Sequence, residues 1–258
     1  MRQSLRALLA EDDPAPFRVL QGTVGSPYVI ICDHAGRSVP RALSSLGLAE
    51  AELQRHIAWD IGVGGLARRL GAELGAWVIL QEYSRLVIDC NRPLVSPDSI
   101  VQESDDTVVP GNLAISPVQA EARAHCIFGP YHARISRELT ERSARGEAPI
   151  LIFLHSFTPV FRGVSRPWHV GVLHHKDARL AAPLLRALRA EPDLIVGDNE
   201  PYAASELTDY GLVEHGERRG LVHVELEVRQ DLLADVASQE AWAKRLARLL
   251  RDAPQSSN

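Results

Sequence analysis

The stretch Tyr28-Val-Ile-Ile-Cys-Asp33-His34-Ala-Gly36-Arg37-Ser-Val-Pro40 decides the fold. It begins with an apolar, largely β-branched run, which is typical of a fully buried strand. The strand ends at Asp33 and His34, and Gly36 then indicates a turn. Open α/β sheets bind ligands at the carboxyl ends of their strands, so both polar side chains are candidate site residues. The alternative is that they only satisfy backbone groups of a loop.

A second buried strand, Ile150-Leu-Ile-Phe-Leu154, also ends on a histidine, His155. If the two strands are neighbours in the sheet, His34 and His155 converge at one edge. Strands alternate with helical segments along the chain. This alternation predicts a single α/β domain with a mixed, mostly parallel central sheet covered by helices on both faces.

The remaining elements follow from periodicity and from Gly and Pro positions. The chain of 258 residues is expected to form one domain, with 1–16 as a lead-in that starts with a short helix and 252–258 as a frayed tail. The long aperiodic stretch 91–117 is expected to cover a site. Further strands are predicted at 18–24, 77–80, 86–88, 170–173, 194–196 and 221–228, and helices at 49–75, 118–145, 178–190 and 230–251.

Composition excludes several classes of partner. The net charge of −5 gives no reason to expect nucleic acid or an anionic membrane surface. The sequence has neither a signal-peptide pattern nor an apolar run of about 18 residues. The three cysteines are widely spaced, which favours reduced thiols. We therefore expect a soluble cytoplasmic protein whose oligomeric state the sequence leaves open.

Two histidines at a sheet edge suggest a mononuclear zinc site, which usually adds a carboxylate and keeps one position open. Asp60 is the best candidate for that carboxylate, because it lies in the apolar pattern of the predicted helix 49–75, where an unpaired charge is costly. The alternative is that Asp60 pairs with an arginine. His56, four residues earlier, could be a ligand, although a role outside the metal's ligand set is favoured.

Apolar and polar residues alternate strictly in the last predicted strand. Period two places His223, Glu225, Glu227 and Arg229 on one face. Periodicity alone favours an exposed edge strand. A glutamate beside a metal-activated water would instead provide a general base.

The Asn91-Arg92 pair follows another short predicted strand. Its side chains form a fork of donors suited to a carboxylate, although a salt bridge that braces a loop is the common alternative. The histidines at 169, 174 and 175 are expected to have no direct role in binding the metal.

Taken in order, these segments resemble the N-formylglutamate amidohydrolases, a family within the wider zinc carboxypeptidase-like group. No single segment is decisive, but the ordered set spans about 28–232. The matching segments are Asp33-His-Ala-Gly36, Ala58-Trp-Asp60-Ile-Gly62, Ser84-Arg-Leu-Val-Ile-Asp-Cys-Asn-Arg-Pro93, Leu154-His-Ser-Phe157, Arg166-Pro-Trp-His-Val-Gly171, Asn199-Glu-Pro-Tyr202 and Glu227-Val-Arg-Gln-Asp-Leu232.

The resemblance implies a zinc carboxypeptidase-like fold and a zinc-dependent amidohydrolase that cleaves an N-formyl or small N-acyl amino acid, such as N-formyl-L-glutamate. It implies one Zn²⁺ per chain, held by His34, His155 and a carboxylate. The wider group takes that carboxylate from a Glu three residues after the first His; here Arg37 stands there, and Asp60 is inferred instead.

The group's Glu-x-Arg motif implies Glu227 as general base, ahead of Glu225, and places Arg229 in the substrate site. Its Asn-Arg pair implies that Asn91 and Arg92 bind the substrate α-carboxylate. Arg85 is a candidate to help with a side-chain carboxylate.

Three other functions compete with this prediction. The same zinc site could act on another N-acyl amino acid or a peptide amide. The chain could also be a binding protein on a degenerate hydrolase scaffold, although all the expected site residues are present. A metal-free serine hydrolase is disfavoured, because the chain has no Gly-x-Ser-x-Gly motif.

Overall fold

The structure is a computed structural model that describes residues 8–253. Its centre is a seven-stranded sheet, and two short hairpins lie outside it. The predicted amino-terminal helix lies largely outside the described residues, and so do residues 254–258 of the predicted frayed tail. The strands are β1 (Phe17–Leu20), β2 (Tyr28–Cys32), β3 (Trp77–Gln81), β4 (Glu103–Ser104), β5 (Thr107–Val108), β6 (Ile150–Phe157), β7 (Val160–Phe161), β8 (Val164–Ser165), β9 (Val170–Leu173), β10 (Val196–Asp198) and β11 (His223–Arg229).

The strand order in the sheet is β1-β3-β2-β6-β11-β9-β10. Neighbours are parallel except for β1 with β3 and β9 with β11, which are antiparallel. The mostly parallel α/β sheet predicted from the sequence is therefore confirmed. Both β2 and β6 are fully buried, as expected of strands covered on two faces.

Helices cover both faces of this sheet. The helices at 63–74, 181–189 and 236–252 pack on one face, and the helix at 129–144 with the π-helical turn before it packs on the other. Apolar residues of each helix join the core on the face that it covers. The α-helices and π-helices are α1 (Glu50–Leu53), α2 (Val63–Leu74), α3 (Pro117–Arg123), the π-helix Ala124–Phe128, α4 (Gly129–Ala144), α5 (Ala181–Arg189), the π-helix Leu212–Gly216 and α6 (Val236–Asp252).

The predicted continuous helix 49–75 is wrong in its middle. Helix α1 ends at Leu53 and α2 begins only at Val63. Between them, the backbone N–H of Asp60 donates to the carbonyl of His34 at 3.0 Å. Gly62 then turns the chain with a φ of 82°. Asp60 thus lies in a connection tied to the end of β2, not on a helix face, and His56 shares no helix face with it.

The predicted strand 86–88 is also wrong. Those residues form turns, in which the N–H of Arg85 donates to Ala58 and that of Val87 to Ser84. These turns bring the chain back over the end of β2, so that Asp89 points at His34.

Strand β11 lies between β6 and β9, in the interior of the sheet. The exposed-edge interpretation of its alternating pattern is therefore wrong. Six of its seven residues are buried, including both glutamates.

Two further observations concern the helices and the cysteines. Within residues 8–253, no helix is both long enough and apolar enough to cross a membrane. Cys32, Cys90 and Cys126 are free thiols.

Candidate active site

Three side chains meet at the carboxyl ends of β2 and β6. Because these strands are parallel neighbours, His34 and His155 face each other, as predicted. Asp60 joins them from the connection that leads to α2. All three are buried, and their facing ligand atoms lie within 4.8 Å of one another.

The contacts within this cluster are short. Asp60 Oδ2 lies 3.0 Å from His155 Nδ1 and 3.5 Å from His34 Nδ1, and the two Nδ1 atoms are 3.2 Å apart. Burial favours the protonated form of Asp60, but His34 and His155 hold its pKa below the usual value. The cluster thus presents an ionised carboxylate and two imidazole nitrogens to one point.

The second nitrogen of each imidazole faces another carboxylate. His34 Nε2 donates to Asp89 Oδ1 at 2.7 Å, and His155 Nε2 lies 3.6 Å from Asp33 Oδ2. Metal-binding histidines generally give their second N–H to such an acceptor, which fixes the ring and leaves the other nitrogen free for the metal. Both rings are oriented to offer Nδ1.

This donor set fits zinc. With zinc–ligand bonds of about 2.0–2.1 Å, two ligands of a tetrahedral site lie about 3.3 Å apart. The three separations of 3.0, 3.2 and 3.5 Å bracket that value. Two imidazoles and one carboxylate also leave the fourth position open, as in catalytic zinc sites.

Glu227 faces this cluster from β11, where it is in register with His155. It is buried, and its Oε2 has no hydrogen-bond partner among the described residues. Burial raises its pKa to about 7, with His155 opposing and Asp60 adding to the shift. A carboxyl group whose pKa lies near neutrality is suited to general acid–base work.

A cavity of about 440 Å³ opens onto the cluster and Glu227. The aperiodic stretch 91–117 forms part of its wall, through residues such as Asp98, Ser104 and Asp105, which is consistent with the expectation that it covers a site. Asn112 anchors the stretch, because its amide donates to the carbonyls of Leu86 and Val101.

Three of the predicted substrate residues line this cavity: Arg85, Asn91 and Arg92. Arg85 binds Asp89 Oδ2 at 2.7 Å and lies 3.6 Å from Asp60 Oδ1, so two carboxylates already neutralise it. The Arg92 guanidinium donates to the carbonyls of Thr208 and Asn91 and has no carboxylate partner within residues 8–253. Of the two arginines, Arg92 has the charge available for a ligand.

Asn91 is held by the protein itself. Its Oδ1 accepts from the N–H of Gly211 at 3.3 Å, and its Nδ2 lies 3.5 Å from Asp209 Oδ1. The amide therefore fixes the 208–211 segment against the cavity as well as lining it.

Two residues considered from the sequence lie elsewhere. Arg229 does not line the cavity: its guanidinium binds Asp231 at 2.8 Å and donates to the backbone carbonyls of 166–168. The structure therefore does not bring Arg229 into the cavity with the other predicted substrate residues, and its contacts brace a loop. His56 lines the cavity but stands outside the metal cluster, with Nε2 3.4 Å from Asp105.

The sequence analysis gave no role to several residues that shape the site. Asp89 belongs to the same segment as Asn91 and Arg92, and its carboxylate orients His34. Tyr202 and Phe161 form the opposite wall, where the Arg166 guanidinium lies 4.7 and 4.6 Å from their ring centres. Asp89, Arg166 and Tyr202 lie in segments that carry the family resemblance, whereas Phe161 lies in none of them.

The mostly parallel α/β sheet carries a cluster of three potential metal ligands beside a buried glutamate, an arrangement that is suited to hydrolytic chemistry. The model of the N-formylglutamate amidohydrolase family matches residues 26–234. The chain belongs to this family and is therefore an amidohydrolase.

Two solved structures are similar to the chain over most of its length. The chain is 33% identical to gene product Atu2144 from Agrobacterium tumefaciens, with a TM-score of 0.92, over 95% of this chain and 97% of that one. It is 18% identical to an N-formylglutamate amidohydrolase from Ralstonia eutropha JMP134, with a TM-score of 0.70, over 92% and 99% of the two chains. The second similarity shows a shared fold. No curated protein matched the sequence.

Proposed function

We propose that this chain is a zinc-dependent amidohydrolase that cleaves the amide of an N-formyl or small N-acyl amino acid, with N-formyl-L-glutamate as the first substrate to test. The observation that carries the proposal is the cluster of His34, Asp60 and His155, whose ligand atoms converge beside Glu227 at the floor of one cavity. Family membership supports the choice of amide.

His34, Asp60 and His155 hold one Zn²⁺ per chain. When bound, the ion supplies a Lewis acid that polarises an amide carbonyl and lowers the pKa of water. Asp89 keeps the His34 imidazole in the orientation that presents Nδ1, and Asp33 lies 3.6 Å from Nε2 of His155.

Glu227 accepts the proton of the attacking water and returns it to the leaving amine nitrogen. Its position supports this role, since it is in register with His155 and its Oε2 is free to receive a proton. A base must be within hydrogen-bond reach of the water that it activates. Glu227 meets that condition better than Glu225, which is in register with Phe153.

Arg92 binds the substrate α-carboxylate, because it lines the cavity with no carboxylate partner among the described residues. Asn91 supports it by holding the 208–211 segment. Arg85 contributes mainly by holding Asp89, and a contact to a second substrate carboxylate remains a prediction for its Nη1.

A second candidate is an N-acyl amino acid with a longer acyl group, or a peptide amide. The cavity of about 440 Å³ favours it, since volumes above about 300 Å³ accommodate ligands larger than a formylated amino acid.

The test combines metal analysis with turnover. We expect about one zinc per purified chain, hydrolysis of N-formyl-L-glutamate to formate and glutamate, and loss of zinc in His155→Ala. Glu227→Gln should retain zinc and lose turnover by at least about a hundredfold. Glu240→Gln, on the exposed side of α6, is the matched control and should behave as wild type. A chain that binds no zinc, or a Glu227→Gln variant with wild-type turnover, would contradict the proposal.

A further inference from the structure

A second glutamate, Glu225, lies at the floor of the cavity two residues before Glu227. It is 2% exposed, and no hydrogen bond joins its carboxyl group to any described residue. Buried polar groups in proteins are nearly always paired, so an unpaired carboxyl group that lines a cavity requires an explanation.

The surroundings of Glu225 disfavour a negative charge. Burial raises its pKa well above the usual value, and Asp209, Glu227 and Asp33 add to the shift while His155 opposes it. Asp209 offers no compensation, since its Oδ2 accepts from the N–H of Ser205 and from the hydroxyl of Thr208. These surroundings favour the neutral form of Glu225, whose O–H group is a hydrogen-bond donor.

No described residue accepts a hydrogen bond from Glu225, and Glu225 lines the cavity, so a ligand bound there is a candidate acceptor. The segment that contains Asp209 also contacts Arg92. The backbone carbonyl of Thr208, the residue before Asp209, accepts a hydrogen bond from the Arg92 guanidinium. Arg92 has no carboxylate partner within residues 8–253. A hydrogen-bond donor and a free cation thus line the same cavity, and a carboxylate is the ligand group that suits both.

We propose that Glu225 is a substrate-binding residue, which acts in its neutral form as a hydrogen-bond donor to the same substrate carboxylate that Arg92 binds. This inference rests on the proposed function, because it concerns the amino-acid portion of the N-acyl substrate. It assigns the two glutamates of β11 different tasks: Glu227 moves a proton during the reaction, and Glu225 keeps its own.

The test compares Glu225→Ala with Glu225→Gln by steady-state kinetics on N-formyl-L-glutamate. Loss of a hydrogen bond to a charged group should raise the KM of Glu225→Ala about tenfold or more, with kcat reduced less than about threefold. Glutamine keeps an uncharged donor of nearly the same shape, so it should recover most of the lost affinity. Zinc content and thermal unfolding of each variant identify a folding defect, and Glu225→Met replaces the alanine variant if the latter does not fold.

A second substrate locates the contact. The α-amide of N-formyl-glutamate lacks the carboxylate, so its KM should be raised in wild type and should not rise further in Glu225→Ala. An unchanged KM in Glu225→Ala or Glu225→Met overturns the inference, as does a Glu225→Gln variant that loses kcat like Glu227→Gln, since Glu225 would then act as an ionised base. A wild-type enzyme that hydrolyses no N-acyl amino acid contradicts the proposed function instead.

Discussion

Replacement of Asp89 by asparagine tests whether the carboxylates behind the histidines tune the metal site. Asp89 is 3% exposed; its Oδ1 accepts from His34 Nε2 at 2.7 Å and from the N–H of Asn91 at 2.8 Å. Its Oδ2 accepts two bonds from Arg85, at 2.7 and 3.1 Å. Asparagine keeps one neutral acceptor for His34 but turns an N–H₂ group towards the donors of Arg85.

The expected loss has two parts. Removal of a carboxylate that orients a metal-binding histidine typically costs about 10- to 100-fold in metal affinity, which corresponds to roughly 1.4–2.7 kcal/mol. The fold is also destabilised, because Arg85 keeps only Asp60, at 3.6 Å. Breaking a fully buried ion pair costs about 3–5 kcal/mol, and we expect less here since the Arg85 side chain is 25% exposed.

Zinc affinity is measured by competition with a chromogenic chelator, and unfolding by thermal denaturation of the metal-free protein. The matched control is Asp193→Asn, which removes an Asp–Arg pair of similar length, 2.8 Å to Arg245, at a site where the Asp193 side chain is 58% exposed. Exposed pairs contribute about 0–1 kcal/mol, so this variant should retain its zinc affinity. If Asp89→Asn binds zinc as tightly as wild type, the argument that Asp89 orients His34 is refuted.

The remaining predictions concern charge and pH. Arg92→Ala should raise KM for N-formyl-L-glutamate by about tenfold or more with little change in zinc content, whereas Arg229→Ala should alter KM less than about threefold, because Arg229 lies outside the cavity. Equal KM effects of the two variants would contradict this placement of the substrate. Burial raises the pKa of the Glu227 carboxyl from its usual 4.5 to about 7 in the folded chain, so the stability that it contributes is present below pH 4.5 and lost as the pH rises through 7. Chelator-treated Glu227→Gln should therefore be more stable than wild type at pH 8, by up to about 3 kcal/mol, and the difference should shrink as the pH approaches 4.5; urea unfolding at a series of pH values measures it.

The convergence of His34 and His155 could be predicted because it depends on a local pattern and one topological rule. Each histidine ends an apolar run, and parallel neighbouring strands bring their carboxyl ends to the same edge. The structure confirms that β2 and β6 are such neighbours. Asp60 was also identified as a candidate, although for a wrong reason: it was expected on a helix face, and it lies in a connection whose backbone bonds to His34.

The groups that orient the cluster could not be predicted in the same way. Turns at 84–88 place Asp89 next to His34. These turns have no hydrophobic period, and their apolar residues 86–88 predict a strand instead. Likewise, the sequence does not reveal that the Arg229 guanidinium donates to Asp231 and to nearby backbone carbonyls. Those contacts depend on loops that meet only in the folded chain.

Strand β11 shows why an alternating pattern does not by itself distinguish an exposed edge from a catalytic strand. An alternation of apolar and polar residues indicates that one face of a strand is polar, and water usually covers that face. In this fold β11 lies between β6 and β9, and the polar face of its carboxyl half lines a cavity beneath the 91–117 and 205–211 segments. Burial of two glutamates there costs free energy, since each is driven towards its neutral form. Apolar residues at these two positions would make the fold more stable. The presence of two glutamates at the centre of the sheet is therefore an argument for function.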